Sequence, residues 1–300
     1  MRSDWIDVKG RVAIAVLAAI AVIAGVAIFA GAGGGGAGGP LDPVAQAAET
    51  TTHAGGAQMA LRGSVGVPGL AGAISFSGQG SFNFAAHEGS LTMTMAGFPA
   101  SVAAKLEGGS LQMTELFKAS AIYIGSPLFA GRLPGGARWM RLDIARVQQA
   151  LGLDPSSLTS GGTNPAQYLQ YLRDAGGAST VTGHELVRGV PTTRYAGSID
   201  LLKAAEAQPG ANRAQLRAAF QKLISQTGLS SLPVNVWVDS RGLVRKVSIE
   251  LSVNAAGQPV KATVVTEYHD FGATPTAAAP RSSEVFDMTG LALQNLPSGG

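Results

Sequence analysis

The sequence predicts an α+β domain, built on one broad antiparallel sheet with helices on one face, behind an N-terminal apolar helix. Apolar and polar residues alternate in short runs near both ends of the domain, which is typical of half-buried strands. The middle of the chain instead places apolar residues at helical spacing. Strands, then helices, then strands fit one sheet covered by helices.

The apolar segment 12–30 contains no charged residue. At 1.5 Å per residue, its roughly 19 residues span about 28 Å as a helix, close to the ~30 Å hydrocarbon core of a bilayer. Arg2, Lys9 and Arg11 precede it and no Lys or Arg follows for about 30 residues, which predicts that residues 1–11 stay in the cytoplasm. We therefore expect a single-pass protein of the cell membrane with an extracytoplasmic C-terminal domain. Secretion after cleavage of a signal peptide is the alternative.

Residues 31–56 are rich in glycine and alanine, and we expect them to form a flexible tether. Residues 57–288 then form the folded domain, which is long enough to bury a sizeable core. Residues 289–300 are expected to form a C-terminal tail without an assigned role.

Composition excludes several classes of function. The chain has no cysteine, which rules out disulfides, zinc-thiolate sites, thiol nucleophiles and lipid attachment through an N-terminal cysteine. Its net charge of +3 is too small for an electrostatic binder of nucleic acid. The four histidines are scattered and no HExxH motif or Gly-x-Ser-x-Gly elbow occurs, so we expect no enzyme, no metal site and no cofactor.

The N-terminal strands are predicted from period-two alternation with glycine, proline or serine between the runs. Gly78 and Gly80 lie midway in one run, where we expect a bend, a turn or a bulge. The apolar positions of these runs include Ile74, Phe76, Phe82, Phe84, Leu91, Met93, Met95, Leu111 and Met113. Glutamates in such runs, Glu115 among them, are expected to face solvent.

Three helices are predicted in the middle of the chain. Asp143 is expected to cap the first, and Asn164-Pro165 provides an N-cap followed by proline for the second. The third is expected from about Asn212 to Thr227, with Gly228 as its stop. A hairpin centred on Arg188-Gly189 separates the second helix from the third.

The C-terminal strands show the cleanest alternation. Their apolar positions are Val234, Val236 and Val238, followed by Val247, Ile249, Leu251 and Val253. The segment Asp239-Ser240-Arg241-Gly242 supplies the turn between the two runs, and a third strand follows from Val260 to Tyr268.

Short motifs across residues 57–288 resemble the exported actinobacterial proteins of the LppX/LprG type, in the LolA-like superfamily. They are Trp139–Asp143, Pro165–Leu169, Arg188–Tyr195, Val234–Asp239 and Gly242–Lys246. The resemblance implies a curved antiparallel sheet, a half-barrel, covered on its concave face by helices that enclose a cavity for acyl chains. Many such proteins carry an acylated cysteine, and since this chain has none, its N-terminal helix would replace the lipid as the anchor.

From that resemblance we expect a membrane-anchored carrier whose partners are the membrane, a lipid or glycolipid with acyl chains and an envelope protein. An arginine, Arg138, Arg141 or Arg194, is a candidate contact for an anionic headgroup. The expected cavity lining is Phe76, Phe82, Phe84, Met93, Met95, Met113, Val236, Ile249 and Leu251. Periodicity alone does not separate a hollow interior from a packed one. The alternative is therefore a non-enzymatic envelope sensor or protein-interaction module with a filled core.

Overall fold

The computed structural model describes residues 43–66, 72–86, 88–118, 120–150, 179–206, 212–255, 258–272 and 278–294. The strands in these ranges are β1 Gly56–Gly66, β2 Ala73–Asn83, β3 Glu88–Ala96, β4 Leu111–Lys118, β5 Ala121–Gly125, β6 Trp139–Asp143, β7 Thr180–Val187, β8 Val190–Asp200, β9 Ser231–Asp239, β10 Val244–Ala255, β11 Gln258–His269 and β12 Val285–Asp287. The α-helices are α1 Pro43–Thr52, α2 Ala100–Ala103, α3 Ile144–Ala150, α4 Leu201–Glu206, α5 Asn212–Thr227 and α6 Thr289–Gln294.

The described strands form one large open sheet in the order β12-β6-β5-β4-β3-β2-β1-β11-β10-β9-β8-β7. Neighbouring strands are antiparallel, as predicted, except that β12 runs parallel to β6. Strands β1 and β11 join the N-terminal and C-terminal groups, with Met59 opposite Tyr268. Both ends of the domain therefore contribute to one sheet.

The two faces of the sheet differ in character. We call inner the face that contains the cross-strand row Met95, Phe76, Gly63, Val264, Ile249 and Val234. Most core side chains of the strands lie on this face, including Met59, Leu91 and Val247. The outer face carries the alternate residues, among them Arg62, Glu267 and Lys246. Period-two alternation therefore sorted the side chains between the faces correctly.

Two of the predicted helices are confirmed. Helix α5 spans the predicted residues Asn212–Thr227, and its Phe220 lies in the core. Helix α3 begins directly after Asp143, whose Oδ1 accepts a hydrogen bond of 3.0 Å from the backbone N–H of Arg146. The cap satisfies one of the N–H groups that a helix start leaves without a partner.

Part of the predicted tether is wrong. Residues 43–52 form helix α1, and Val44, Ala45, Ala47, Ala48 and Thr51 are buried in it. Alanine is the strongest helix former, and its small side chain allows close packing, so an alanine-rich segment that reads as a linker docks on the core instead. The hydroxyl of Thr51 fixes the helix by accepting a 2.9 Å hydrogen bond from the N–H of Val244.

The predicted tail 289–300 begins with structure as well. Residues 289–294 form α6, and Thr289 is fully buried. Its hydroxyl accepts a 2.9 Å hydrogen bond from the N–H of Asp143, which secures the segment beside β6.

Several predictions fall outside the described residues. They are the cytoplasmic segment 1–11, the membrane helix 12–30, the first part of the tether, and the helix predicted at Asn164-Pro165. Within the ranges that are described, no helix has the length and apolar character needed to cross a membrane.

Both predicted hairpin turns are present. Arg188 and Gly189 connect β7 to β8 with φ of 50° and 78°, the paired positive values of a tight hairpin turn. Asp239 organises the turn between β9 and β10, because its Oδ1 accepts hydrogen bonds from the N–H groups of Arg241 and Leu243. The Arg245 guanidinium donates a 2.8 Å bond to the second oxygen of Asp239.

Candidate functional site

All nine residues predicted to line a cavity belong to the core beneath the inner face. Eight are buried, with Met93 and Met95 at 0% exposure, and Leu251 is partly buried against them. The eight are Phe76, Phe82, Phe84, Met93, Met95, Met113, Val236 and Ile249. The apolar surface they form extends across strands β2, β3, β4, β9 and β10. At this level of burial, their side chains are covered in the structure.

Glycine shapes the inner face by giving large side chains room to lie along the sheet. A Cβ atom on Gly63 would come within 2.4 Å of the Phe76 ring, and one on Gly89 within 2.6 Å of the Phe82 ring. A Cβ on Gly78 would come within 2.7 Å of Met93. The large side chains therefore occupy the space above glycines.

Glu115 brings a carboxyl group to this largely apolar face. It pairs with Leu91 on β3 and with Ile124 on β5, and it is 5% exposed. No hydrogen bond or ion pair holds its carboxyl among the residues that the structure describes. Burial raises the pKa of Glu115 to about 7, and no charged group contributes to the shift. The carboxyl is thus mostly protonated in this apolar setting only at pH values below about 7.

The expectation that Glu115 faces solvent is wrong. The run Leu111, Met113, Glu115, Phe117 has the alternation of the inner face, so the strand pattern already places this glutamate with the apolar residues. The signal was that Glu115 occupies the same alternate positions of the strand as these apolar residues. The expectation instead followed the general preference of carboxylates for solvent.

Tyr268 lies in the same cross-strand row as Glu115. The row runs from Glu115 through Leu91, Gly80 and Met59 to Tyr268. Tyr268 is 2% exposed, and burial raises the pKa of its hydroxyl. Like Glu115, it has no hydrogen-bond partner in the described part of the chain. The inner face thus holds two buried polar groups in one row.

The inner face opens at its β7–β9 end. Tyr195 pairs with Val236, and Thr193 pairs with Val238, so these positions continue the inner face. An open groove of about 420 Å³ lies at this end of the sheet. Its lining includes Thr193, Tyr195 and Val238 of the inner face and also Glu185 and Thr192 of the outer face, so it follows the β7 edge. Leu186 is 68% exposed, which makes this end the accessible margin of the apolar face.

Two of the three candidate headgroup arginines are engaged on the other face. The Arg194 guanidinium donates two hydrogen bonds, of 2.8 and 3.1 Å, to the Asn235 side chain. It also lies 5.2 Å from the Trp237 ring centroid. Arg141 forms ion pairs with Asp143 and Asp287. Their positions provide no contact with a ligand on the inner face.

In the residues that are described, no group of three or more His, Cys, Asp or Glu side chains is arranged to hold a metal ion. His269 pairs with Asp270 at 2.9 Å, but the Asp270 side chain is 76% exposed.

No protein-family model matches this chain. An uncharacterized 31.2 kDa protein from the rplA-rplJ intergenic region of Streptomyces griseus is 28% identical over 250 residues, covering 82% of this chain and 79% of that protein. The similarity extends over most of both chains, but that relative's name states no activity.

Among solved structures, the lipoprotein LppX of Mycobacterium tuberculosis is 12% identical, with 79% of this chain and 98% of that one covered and a TM-score of 0.41. LprF of Mycobacterium bovis is 13% identical, with 81% and 99% covered and a TM-score of 0.39. A LolA superfamily protein of Nitrosomonas europaea is 10% identical, with 81% and 96% covered and a TM-score of 0.27. The chain is similar to LppX, LprF and a LolA superfamily protein, as its motifs predicted.

Proposed function

We propose that this protein binds the acyl chains of a lipid on the inner face of its sheet and carries the lipid outside the cytoplasm. The observation that supports this most directly is the continuous apolar inner face, whose large side chains lie above glycines. Such a surface would offer an acyl chain apolar contact along its length once the groups that cover it are displaced. The strands at its β7–β9 end leave one margin open.

The free energy of transfer does not oppose the capture of an acyl chain from a bilayer. Burial of each CH₂ group is worth roughly 0.8 kcal/mol relative to water, in the protein or in the bilayer, so transfer between them is close to balanced. The side chains of the inner face are covered in the structure, and a bound chain would displace what covers them. Curvature of the sheet into a half-barrel is part of the proposal, and it is supported by Gly78 and Gly80 within β2.

Anchoring is a further part of the proposal. The apolar segment 12–30 would hold the domain to the membrane, and a glycine-rich segment precedes helix α1. A short connection of this kind would keep the β7–β9 margin near the bilayer surface, which favours a tethered carrier over a freely diffusing one.

Native mass spectrometry with organic extraction tests the proposal. The full chain is purified from an actinobacterial host in a steroid-based detergent, so that every extracted acyl chain comes from the cell. We expect about one acyl lipid per chain. A chain that is repeatedly empty, and that also fails to take up fluorescent acyl probes, contradicts the proposal.

Matched variants separate lipid on the inner face from lipid around a membrane helix. Met93→Gln places an amide on the inner face, and Thr92→Gln places the same group at an exposed position of the same strand. We expect Met93→Gln to lower the lipid content at least about fivefold, since an unpaired amide in an apolar site is costly. Thr92→Gln is expected to match the parent chain, and equal loss in both variants would contradict the assignment.

One observation favours the second candidate, a sensor or interaction module. The predicted lining residues are packed, whereas Val181 and Leu186 on edge strand β7 are 58% and 68% exposed. An exposed apolar edge strand is a ready surface for another chain. A ligand-free protein that loses a specific envelope partner on Leu186→Ser, but not on the similarly exposed Leu291→Ser, would support this function.

A further inference from the structure

Glu115 and Tyr268 bring two polar groups to a surface that otherwise suits plain hydrocarbon. Their row places three residues between them, all without polar side chains: Leu91, Gly80 and Met59. A buried polar group without a partner is rare in native proteins, because it loses its hydrogen bonds to water without replacement. Within the part of the chain that the structure describes, both groups of this row lack a hydrogen-bond partner, which points to a ligand that supplies the partners.

We propose that the inner face binds an acyl lipid that carries a hydroxyl group within its apolar part, and that a carboxyl oxygen of Glu115 accepts the hydrogen bond from that hydroxyl. This inference rests on the proposed function and names the lipid class that the site would take. Tyr268 is the second polar contact, and its phenol can donate to a further oxygen of the same lipid.

The surroundings of Glu115 select a hydroxyl over an ammonium group. Its neighbours across both adjoining strands, Leu91 and Ile124, offer no acceptor side chain, and neither do Met113 and Phe117 two positions away. An ammonium has three donors and a full charge, which a single carboxyl in an apolar setting leaves largely unsatisfied. A hydroxyl has one donor, which one carboxyl oxygen satisfies completely. It can also accept from the carboxyl when that group is protonated.

The spacing of the row limits the ligand further. Glu115 and Tyr268 are separated by four strand-to-strand steps of roughly 4.8 Å, which is about 19 Å along the sheet. A bound chain that contacts both groups therefore lies across the strands. Gly80 contributes no side chain at the middle of the row. An acyl chain that crosses the strands in this direction therefore meets no side chain from that position.

Displacement of a fluorescent acyl probe from the full chain tests the inference. The competitors are methyl stearate and a series of its hydroxyl derivatives, in which the hydroxyl is moved along the chain. Methyl esters carry no charge, so the hydroxyl is the only difference. We expect at least one derivative to bind about fivefold to tenfold tighter than methyl stearate.

Two variants assign the preference to Glu115. Glu115→Leu removes the acceptor, and the preference should fall to about onefold while methyl stearate still binds. Glu115→Gln keeps an acceptor oxygen and should retain a preference for the same derivative. Tyr268→Phe should leave the dependence on the hydroxyl position unchanged, because it removes a different contact.

The outcomes distinguish this inference from the function on which it rests. If neither methyl stearate nor any derivative displaces the probe, or if the probe itself does not bind, acyl binding fails and the inference fails with it. If all competitors bind equally, or if Glu115→Leu keeps the hydroxyl preference, the inference alone is overturned.

Discussion

The two faces of the sheet treat the same residue type in opposite ways. On the outer face, Glu267 lies between Arg62 at 2.8 Å and Arg188 at 3.0 Å. On the inner face, Glu115 has only apolar neighbours on the adjoining strands. Burial would raise the pKa of Glu267, but hydrogen bonds from the two guanidinium groups outweigh it and lower that pKa. Burial acts unopposed at Glu115 and raises its pKa to about 7.

The difference separates charged groups that are paired within the chain from a buried carboxyl that has no partner among the described residues. The outer face continues this pattern at Trp237, whose indole N–H donates to Glu185 while Lys246 lies 3.8 Å from its ring centroid. These polar side chains of the outer face form hydrogen bonds and ion pairs with one another. Within the described ranges, Glu115 and Tyr268 of the inner row have no such hydrogen-bond partner, and burying a polar group without one costs free energy.

Removing a buried carboxylate that is paired within the chain should have the largest effect on stability. Asp239 is buried and accepts from Arg245, Arg241 and Leu243, so Asp239→Ala leaves the buried Arg245 without its partner. We expect a loss of about 3–5 kcal/mol in the free energy of unfolding, measured by urea denaturation. The control Glu49→Ala removes an exposed carboxylate from helix α1 and should cost less than about 1 kcal/mol. Equal losses in the free energy of unfolding would mean that a buried, paired carboxylate contributes no more than an exposed one.

The buried carboxyl of Glu115 should make the protein less stable as pH rises. The folded pKa of Glu115, about 7, lies above its ordinary value of 4.5, so folding favours the protonated form. Stability from this group is full below about pH 4.5 and is lost as pH rises through 7, by about 3 kcal/mol in total.

The measurement is urea denaturation across this pH range for the parent chain and for Glu115→Gln, which does not titrate. The difference between the two curves should grow with pH. Parallel curves would mean that the folded carboxyl titrates normally, and the contrast with Glu267 would fail.

Crowding at a glycine of the inner face should have an intermediate effect. A Cβ atom on Gly63 would approach Thr263 O to 2.2 Å and the Phe76 ring to 2.4 Å, so Gly63→Ala forces both to move. We expect a loss of about 1–3 kcal/mol, measured by urea denaturation. Gly183→Ala is the matched strand control, because a Cβ there meets nothing within 4 Å. It should be neutral or stabilise the protein by up to about 1 kcal/mol.

An exposed ion pair of the outer face should matter least. The Arg62 side chain is 58% exposed, so Arg62→Ala is expected to cost about 1 kcal/mol or less. A double-mutant cycle with Glu267→Ala measures the coupling and its decrease with salt. A coupling well above 1 kcal/mol would show that the outer face depends on its charges more than solvent exposure indicates.

Local pattern was enough to predict most elements. Period-two alternation located the strands, the bounds of α5 were predicted to the residue, and both hairpin turns were recognised from their residues. The same alternation predicted that residues as distant as Phe76 and Ile249 share one core. These succeeded because side-chain period and turn chemistry act over a few residues.

The features that were not predicted depend on contacts between residues far apart in the sequence. Residues 43–52 have a linker-like composition, and only docking against the sheet makes them a buried helix. The parallel pairing of β12 with β6 joins segments more than 140 residues apart, which no local pattern specifies. Glu115 combines the two cases. Alternation placed it on the inner face, but that apolar side chains lie opposite it on β3 and β5 is decided by strand pairing.

The sequence by itself determined the element types, the alternation of the two faces, the absence of cysteine chemistry and the residues available to an apolar surface. Those properties depend on composition and on residues close together in the chain. The tertiary structure decided that β1 and β11 join the two halves into one sheet. It also placed Glu115 and Tyr268 in one row, where neither has a hydrogen-bond partner among the described residues. Strand register and burial bring together groups far apart in sequence, and whether a buried polar group is satisfied depends on where those groups meet.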